Sequence, residues 1–364
     1  MEKINLGIIF GGRSTEHEIS VRSARSLIKA INPSKYNVSL IGIDKNGQWF
    51  LHDTSKFIAA ENQQSAAADN IHSLEISMVK RDEFTGAVSA KTNLPLQSLD
   101  VVFPVLHGAF GEDGTIQGLF RMIDIPFVGV DLLASAVGMD KDVTKRLLRD
   151  AGISVADFVC IRKSSLSNEL FGQVTEKLGL PLFIKPANAG SSVGVSKVTD
   201  PKGFEEALKL AFEFDNKVLI EEAIIGKEVE CAILGNENPK ASVVGEIVPR
   251  TSFYSYESKY INDRGADLKI PAEINPEVAD KIRSTAIRAF QLIEGEGLSR
   301  VDFFLKKDNT FVLNEINTMP GFTSISMYPK LWEASGLSYS DLIDELITLA
   351  IARHHRNRKL KTSI

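Results

Sequence analysis

Residues 299–317 read SRVDFFLKKDNTFVLNEIN, and the way this stretch pairs with itself decides how the chain is read. Two apolar runs flank Asp308-Asn309, which predicts a hairpin over Arg300 to Asn317 closed by a two-residue turn. In that register Lys307 faces Thr310, Asp302 lies opposite Glu315, and Arg300 lies opposite Asn317. Side chains directly across a strand pair share a face and sit about 5 Å apart. Two carboxylates so placed repel unless a cation lies between them. Asp302, Glu315 and Asn317 offer oxygen donors only, a set that suits Mg²⁺ or Mn²⁺ and not zinc. Such ions complete their shell with water and substrate phosphates. The competing reading is a solvated sheet face on which Arg300 pairs one carboxylate. A three-residue turn would shift the register and weaken the opposition.

Upstream, PLFIKPANAGSSVGVSKV (181–198) reads as a strand from Leu182 to Lys185, a loop of small residues and a strand from Gly194 to Val198. Gly190, Ser191, Ser192 and Gly194 bring backbone N–H groups together where they can close on anionic oxygens. The Ser191 and Ser192 hydroxyls add donors, and Lys185 ends the entering strand where it can supply charge. No GxxxxGK[ST] is present, so the loop is not a P-loop. Lys141, in GMDKDVTKRLL, opens a helix to Ala151 and offers a second phosphate contact. Glu221 and Glu228, in VLIEEAIIGKEVE, are candidates for the sugar and base of a nucleotide, whereas Glu222 reads as surface charge.

At the N-terminus a strand, Ile4 to Phe10, runs into Gly11-Gly12. Ser14 or Thr15 caps a helix from Glu16 to Ala30, and a strand follows from Val38 to Asp44. This βαβ pattern predicts an α/β unit with a parallel sheet. Residues 50–95 read as polar and irregular. Val101 to Leu106 is a further strand leading into the loop His107 to Gly114. Towards the C-terminus a polar loop spans Pro249 to Gly265. A helix from Pro276 to Glu294 then places Val278, Ile282, Ala286, Phe290 and Ile293 on one face, and a last helix starts at Tyr339.

With 364 residues, 43% hydrophobic and 24% charged, the chain has material for two or three packed domains. A formal net charge of −5 provides no overall basic field for nucleic acid. The basic run Arg353 to Lys361 reads as a solvated helix end. Cys160 and Cys231 sit in apolar strand-like surroundings and read as buried free thiols. No run approaches the roughly 18 apolar residues of a membrane span, and a cytoplasmic location is expected.

FGGRSTEHEIS, HGAFGEDGTIQG, MDKDVTK, IKPANAGSSVGVSKV, FYSYESKYI, SRVDFF and NEINTMPGFTSISMYPKLW occur in that order. Together they closely resemble the D-alanine–D-alanine ligases of the ATP-grasp superfamily, over about residues 4–350. The resemblance implies an α/β chain of three domains, at residues 1–132, 133–222 and 223–364. The first would be a parallel α/β domain, and the other two α+β domains clasping ATP between antiparallel sheets. It implies that Lys141, Lys185, Ser192, Glu221 and Glu228 contact ATP, and that Asp302, Glu315 and Asn317 hold two Mg²⁺ or Mn²⁺ ions. Glu16 then binds the amino group of the first D-alanine, near His107, while Ser191 and Tyr260 link Glu16 to the loop Pro249 to Gly265. That loop, with Tyr254, Tyr256 and Tyr260, is expected to close as a lid. Arg300 and the backbone at Gly321 stabilise the oxyanion. Lys259 and Ser326 contact the second D-alanine, and Met327 leaves its pocket apolar. A homodimer is implied by the family alone. Rival readings are an ATP-grasp ligase for other substrates, a nicotinamide dehydrogenase and a non-catalytic nucleotide binder. The second lacks GxGxxG, and the third has no use for an oxyanion arginine.

Overall fold

The computed structural model describes residues 2–59, 73–250 and 266–361. Strand β1 (Ile4–Gly11), helix α1 (His17–Ala30) and strand β2 (Tyr36–Ile43) form the predicted βαβ unit. Strand β1 pairs in parallel with β2 on one side and with β7 (Val101–Pro104) on the other. The helix starts one residue later than expected. Ser14 Oγ accepts the Glu16 N–H at 3.1 Å, which leaves Glu16 at the N-terminal boundary of α1.

Residues 50–95 correct the expectation of irregular chain. Strand β3 (Trp49–His52), helix α2 (Thr54–Ala59), β4 (Leu74–Arg81), β5 (Phe84–Ser89) and β6 (Pro95–Ser98) extend the same sheet. The order is β6-β5-β4-β3-β2-β1-β7, and the added pairs are antiparallel. The first sheet is therefore mixed rather than parallel. Its added strands escape pattern reading because they are half-covered. Strand β4 has one fully buried residue, Ile76, so the alternation of period two is faint.

Helices α3 (Thr115–Met122), α4 (Leu132–Met139) and α5 (Lys141–Asp150) lead to a second sheet. It consists of β8 (Phe158–Arg162), β9 (Leu182–Pro186), β10 (Ser196–Val198) and β11 (Lys217–Glu222) in the order β10-β9-β11-β8, antiparallel throughout. Helices α6 (Leu170–Leu178) and α7 (Pro201–Phe214) cover it, and Ile184, Phe204, Val218 and Ile220 lie in a core of its own.

The third sheet runs β14-β13-β12-β15-β16. Its strands are β12 (Lys227–Gly235), β13 (Lys240–Pro249), β14 (Ala266–Lys269), β15 (Gly297–Leu305) and β16 (Phe311–Asn317). Helix α8 (Pro276–Leu292) packs on one face. Its Val278, Ile282, Ala286 and Phe290, with Ile293 just beyond, are buried as predicted against Val229, Cys231, Ile233, Val301 and Phe303. Because side chains alternate along a strand, Glu230, Arg300 and Asp302 point to the opposite face.

Helices α9 (Met327–Ala334) and α10 (Tyr339–Asn357) join the third sheet to the first. Leu6, Ile8 and Phe103 share one core with Ala232, Leu298, Tyr328, Leu342 and Leu346. Here the basic run departs from its reading as a solvated end. Arg353 is 4% exposed, donates to the Gly129 and Phe127 carbonyls at 2.6 and 2.8 Å, and stacks on the Phe127 ring. Two carbonyls at the end of the first sheet need donors, and a guanidinium supplies both. Cys231 is buried and Cys160 half-buried, both free. Burial pushes the Cys231 thiol up to about 12. No described helix is long and apolar enough to cross a membrane.

Candidate active site

The hairpin of β15 and β16 carries the predicted opposition by a different route. Lys306 N–H donates to Thr310 and Asn309 N–H to Lys306, with Asn309 in the left-handed region at φ +65°. The loop is thus three residues long, and near it Phe304 pairs with Val312 and Leu305 with Phe311. A β-bulge at Asn314 then restores the other register, so that Asp302 faces Glu315 and Arg300 faces Asn317. The expected turn was wrong by one residue, and the bulge cancels the shift before it reaches the acidic pair.

Arg300 lies against the Asp302 member of this pair. Its Nε and Nη2 donate to both Asp302 oxygens at 2.8 and 2.7 Å, and Asn317 Nδ2 donates to Asp302 at 2.9 Å. The face is partly buried: Asp302 is covered, whereas Arg300, Glu315 and Asn317 keep some exposure, and Arg300 does pair one carboxylate. Burial would lower the Arg300 pKa, but the Asp302 and Glu230 charges raise it well above its usual value. On the far side Lys141 Nζ is 3.8 Å from Glu315. Among the described residues no three His, Cys, Asp or Glu side chains are grouped to hold a metal. The set is two carboxylates and an amide, all oxygen donors, already crossed by cationic side chains. That fits a hard divalent ion completed by water and phosphate.

The loop from Gly190 reaches the same place. Ser191 and Ser192 both adopt left-handed backbone at φ +53° and +61°, which is uncommon outside glycine and marks a tightly determined loop. Lys141 N donates to the Ala187 carbonyl at 3.1 Å and Lys141 Nζ to the Ala189 carbonyl at 2.6 Å, so the start of α5 is laced to the loop. Burial lowers the Lys141 pKa. Ser191 Oγ donates to Glu16 Oε1, which brings the N-terminal unit to the phosphate loop.

Glu16 is packed closely. A Cβ on Gly190 would lie 3.1 Å from Glu16 Oε2, and one on Gly108 would lie 2.7 Å from it. Gly108 also sits at φ +75°, so the loop after β7 needs glycine there on two counts. His107 is buried between Ser23 Oγ and the Met319 carbonyl, each at 3.1 Å. Burial lowers its pKa.

Three residues were missed by sequence reading. Lys145 is 1% exposed and lies 3.2 Å from Glu221, whose other oxygen is 2.7 Å from Lys185. Burial lowers the Lys145 pKa. Burial alone would raise that of Glu221, but the two lysines hold it below its usual value. The four-residue spacing from Lys141 to Lys145 puts both on one helix face, a signal that was available. Glu221 therefore meets lysines directly, rather than an open pocket. Glu230, 2.8 Å from Arg300, is the second. Glu112 is the third: it accepts the Gly108 N–H at 3.2 Å, and burial, then the nearby Glu16 charge, push its pKa well above the usual range.

Ser326 stands at the start of α9, where its Oγ accepts the Thr323 N–H at 3.0 Å and lies 3.0 Å from a Cβ built on Gly321. Met327 is 6% exposed in the shared core, with its sulfur 3.1 Å from a Cβ position on Gly245. The first residue of α9 turns inward because the helix packs on β13. Lys259, Tyr260 and the other tyrosines of the expected lid lie outside the described residues.

Two antiparallel sheets, a small-residue loop with lysines, and an oxygen-donor acid pair at the junction define an ATP-grasp enzyme. The chain belongs to the D-alanine–D-alanine ligase family. The family profile for "D-ala D-ala ligase N-terminus" matches residues 5–130, and that for "D-ala D-ala ligase C-terminus" matches residues 147–348. The chain is 51% identical to D-alanine--D-alanine ligase A of Escherichia coli (strain K12) over 364 residues, covering 100% of both chains. Among solved structures it resembles the D-alanine-D-alanine ligase from Coxiella burnetii, with a TM-score of 0.88 and 38% identity over 99% of this chain and 97% of that one. It also resembles D-alanine--D-alanine ligase from Bacillus anthracis complexed with ATP, with a TM-score of 0.72 and 26% identity over 97% and 99% of the two chains.

Proposed function

We infer that this protein joins two D-alanine molecules into D-alanyl-D-alanine at the expense of ATP, a step in making peptidoglycan precursor. The observation that carries the reading is the convergence of Glu16, the Gly190–Gly194 loop, Lys141 and the Asp302–Glu315 pair on one face, in a chain of this family.

A carboxylate is a poor acylating agent because its leaving group would be oxide. Transfer of the terminal phosphoryl group of ATP to one D-alanine carboxylate gives an acyl phosphate with a good leaving group. The amine of the second D-alanine, once deprotonated, attacks the acyl carbon, and phosphate departs. Catalysis of phosphoryl transfer is mainly positioning and charge neutralisation. Lys141, Lys185 and the loop carrying Ser191 and Ser192 serve the phosphates. Glu221 and Glu228 stand at the sugar and base of the nucleotide, and Glu221 also holds Lys145 and Lys185 in place. Asp302, Glu315 and Asn317 would hold Mg²⁺ or Mn²⁺, which neutralises phosphate oxygens when bound. Glu16 takes the ammonium of the first D-alanine, with His107 beside it. Arg300 and the Gly321 backbone stabilise the tetrahedral oxyanion. Ser326 contacts the second D-alanine.

The domain limits expected near residues 132 and 222, a cytoplasmic location and a homodimer belong to the same proposal. The test is ADP release from purified protein with Mg²⁺ and ATP, with and without D-alanine. Product is then analysed from mixed D-alanine, D-lactate and D-serine near neutral pH. D-Alanyl-D-alanine should be the main product, with preference over isosteric competitors of roughly tenfold to a few hundredfold. ADP release independent of D-alanine, or a product that is mostly ester, would overturn the reading.

A further inference from the structure

Glu230 on β12 lies directly opposite Asp302 on β15, and Asp302 lies directly opposite Glu315 on β16. Three acids thus form a row across adjacent strands, about 4.8 Å from one to the next along the hydrogen-bonding direction. Glu230 is 5% exposed, and an isolated charge so buried would be very costly. Its neighbour on the remaining side, at the opposed position of β13, is Gly245, which has no side chain. Arg300 spans the first two acids: its Nε is 2.8 Å from Glu230 and 2.8 Å from Asp302, and its Nη2 is 2.7 Å from Asp302.

We propose that Glu230 is a positioning residue for Arg300: it retains the guanidinium at the site when Asp302 is taken by the divalent cation. This rests on the functional reading above, which gives Asp302 to the metal and Arg300 to the oxyanion. With Asp302 as sole partner, Arg300 and a divalent ion would compete for the same two oxygens. A second buried carboxylate resolves the competition. The arginine shifts its weight to Glu230 without leaving the face, and it stays charged and aimed beside the reacting carbon. Glu230 touches neither substrate nor metal in this scheme and acts through Arg300 alone.

The experiment is a double-substitution cycle on the full chain. Mn²⁺ is titrated into ADP-saturated enzyme and free Mn²⁺ is followed by electron paramagnetic resonance. The proteins are wild type, Glu230→Gln, Arg300→Gln and the double variant, with Asp302→Asn as the control. In the presence of Arg300, Glu230→Gln should weaken Mn²⁺ binding by about tenfold, the lower end of what supporting contacts contribute at metal sites. In the Arg300→Gln background the same change should cost no more than about twofold, because no arginine is left to crowd Asp302. Glu230→Asp keeps the charge on a shorter arm and should fall between wild type and Glu230→Gln. It also serves as the test should Glu230→Gln not fold. Equal loss in both backgrounds would show that Glu230 acts on the ion by its own field, and no loss in either would show that it does not act at all. Each result overturns the proposal. Mn²⁺ binding indifferent to Asp302→Asn would instead overturn the assignment of the metal site.

Discussion

Glu221→Gln tests the buried charge cluster at the nucleotide end of the site. In the native chain Glu221 is 4% exposed, with Lys145 at 3.2 Å and Lys185 at 2.7 Å. Glutamine keeps the shape and removes the negative charge that both lysines face. Breaking a buried ion pair by removing one partner costs about 3–5 kcal/mol. The variant can limit the loss by shedding the Lys145 proton. A lysine of ordinary pKa near 10.4 loses its proton at about pH 7 for about 4.6 kcal/mol, being 3.4 pH units at about 1.36 kcal/mol each. At about pH 9.5 the same step costs about 1.2 kcal/mol. The sign follows from linkage. The Lys145 pKa is already lowered by burial, so the folded state binds fewer protons than the unfolded one. Stability therefore rises with pH between the folded pKa and the ordinary one. Losing Glu221 lowers the folded pKa further and extends that rise to lower pH. Urea denaturation followed by circular dichroism, at about pH 7 and about pH 9.5, should show a deficit of about 3–5 kcal/mol at the lower pH. The deficit should at least halve at the higher one. A deficit below about 1 kcal/mol at neutral pH, the range of a solvated pair, would refute the reasoning, as would an equal deficit at both values.

Glu315→Gln should abolish turnover while leaving thermal stability unchanged, since one ligand charge is lost from a face that already carries an excess of acid; near-normal activity at ordinary Mg²⁺ would show that Glu315 holds no metal. Gly108→Ala places a methyl 2.7 Å from Glu16 Oε2 at a φ of +75°. Strain of about 1–2 kcal/mol is expected, together with a KM for D-alanine raised more than that for ATP; unchanged steady-state constants would exclude Glu16 from the substrate's ammonium. Arg353→Met removes two buried charge-assisted hydrogen bonds and a stacked ring. It should destabilise by about 3 kcal/mol, whereas Lys359→Ala should change stability by less than about 0.5 kcal/mol. Equal melting temperatures for the two variants would return the whole basic run to the solvent.

What the sequence by itself determined is local: strand alternation, the apolar face of α8, the small-residue loop, and the order of motifs that names the family. These are signals carried within a few residues, where side-chain period and turn chemistry operate. The opposition of Asp302 and Glu315 is readable in the sequence, although the turn that closes the hairpin is one residue longer than the pattern predicts. The bulge at Asn314 that corrects it leaves no mark in composition. Strands β3 to β6 were missed because half-covered strands alternate weakly. Glu221 reads as a nucleotide contact and not as the partner of Lys145 and Lys185, and Arg353 reads as solvated although it binds carbonyls 224 and 226 positions away. Glu230 gave no signal at all, since its meaning lies in standing one strand from Asp302. Whether a charged side chain is solvated, paired or buried depends on which distant strand or helix arrives beside it. Burial and charge pairing between elements far apart in the chain are settled when the sheets and helices pack, so the tertiary structure alone decided them.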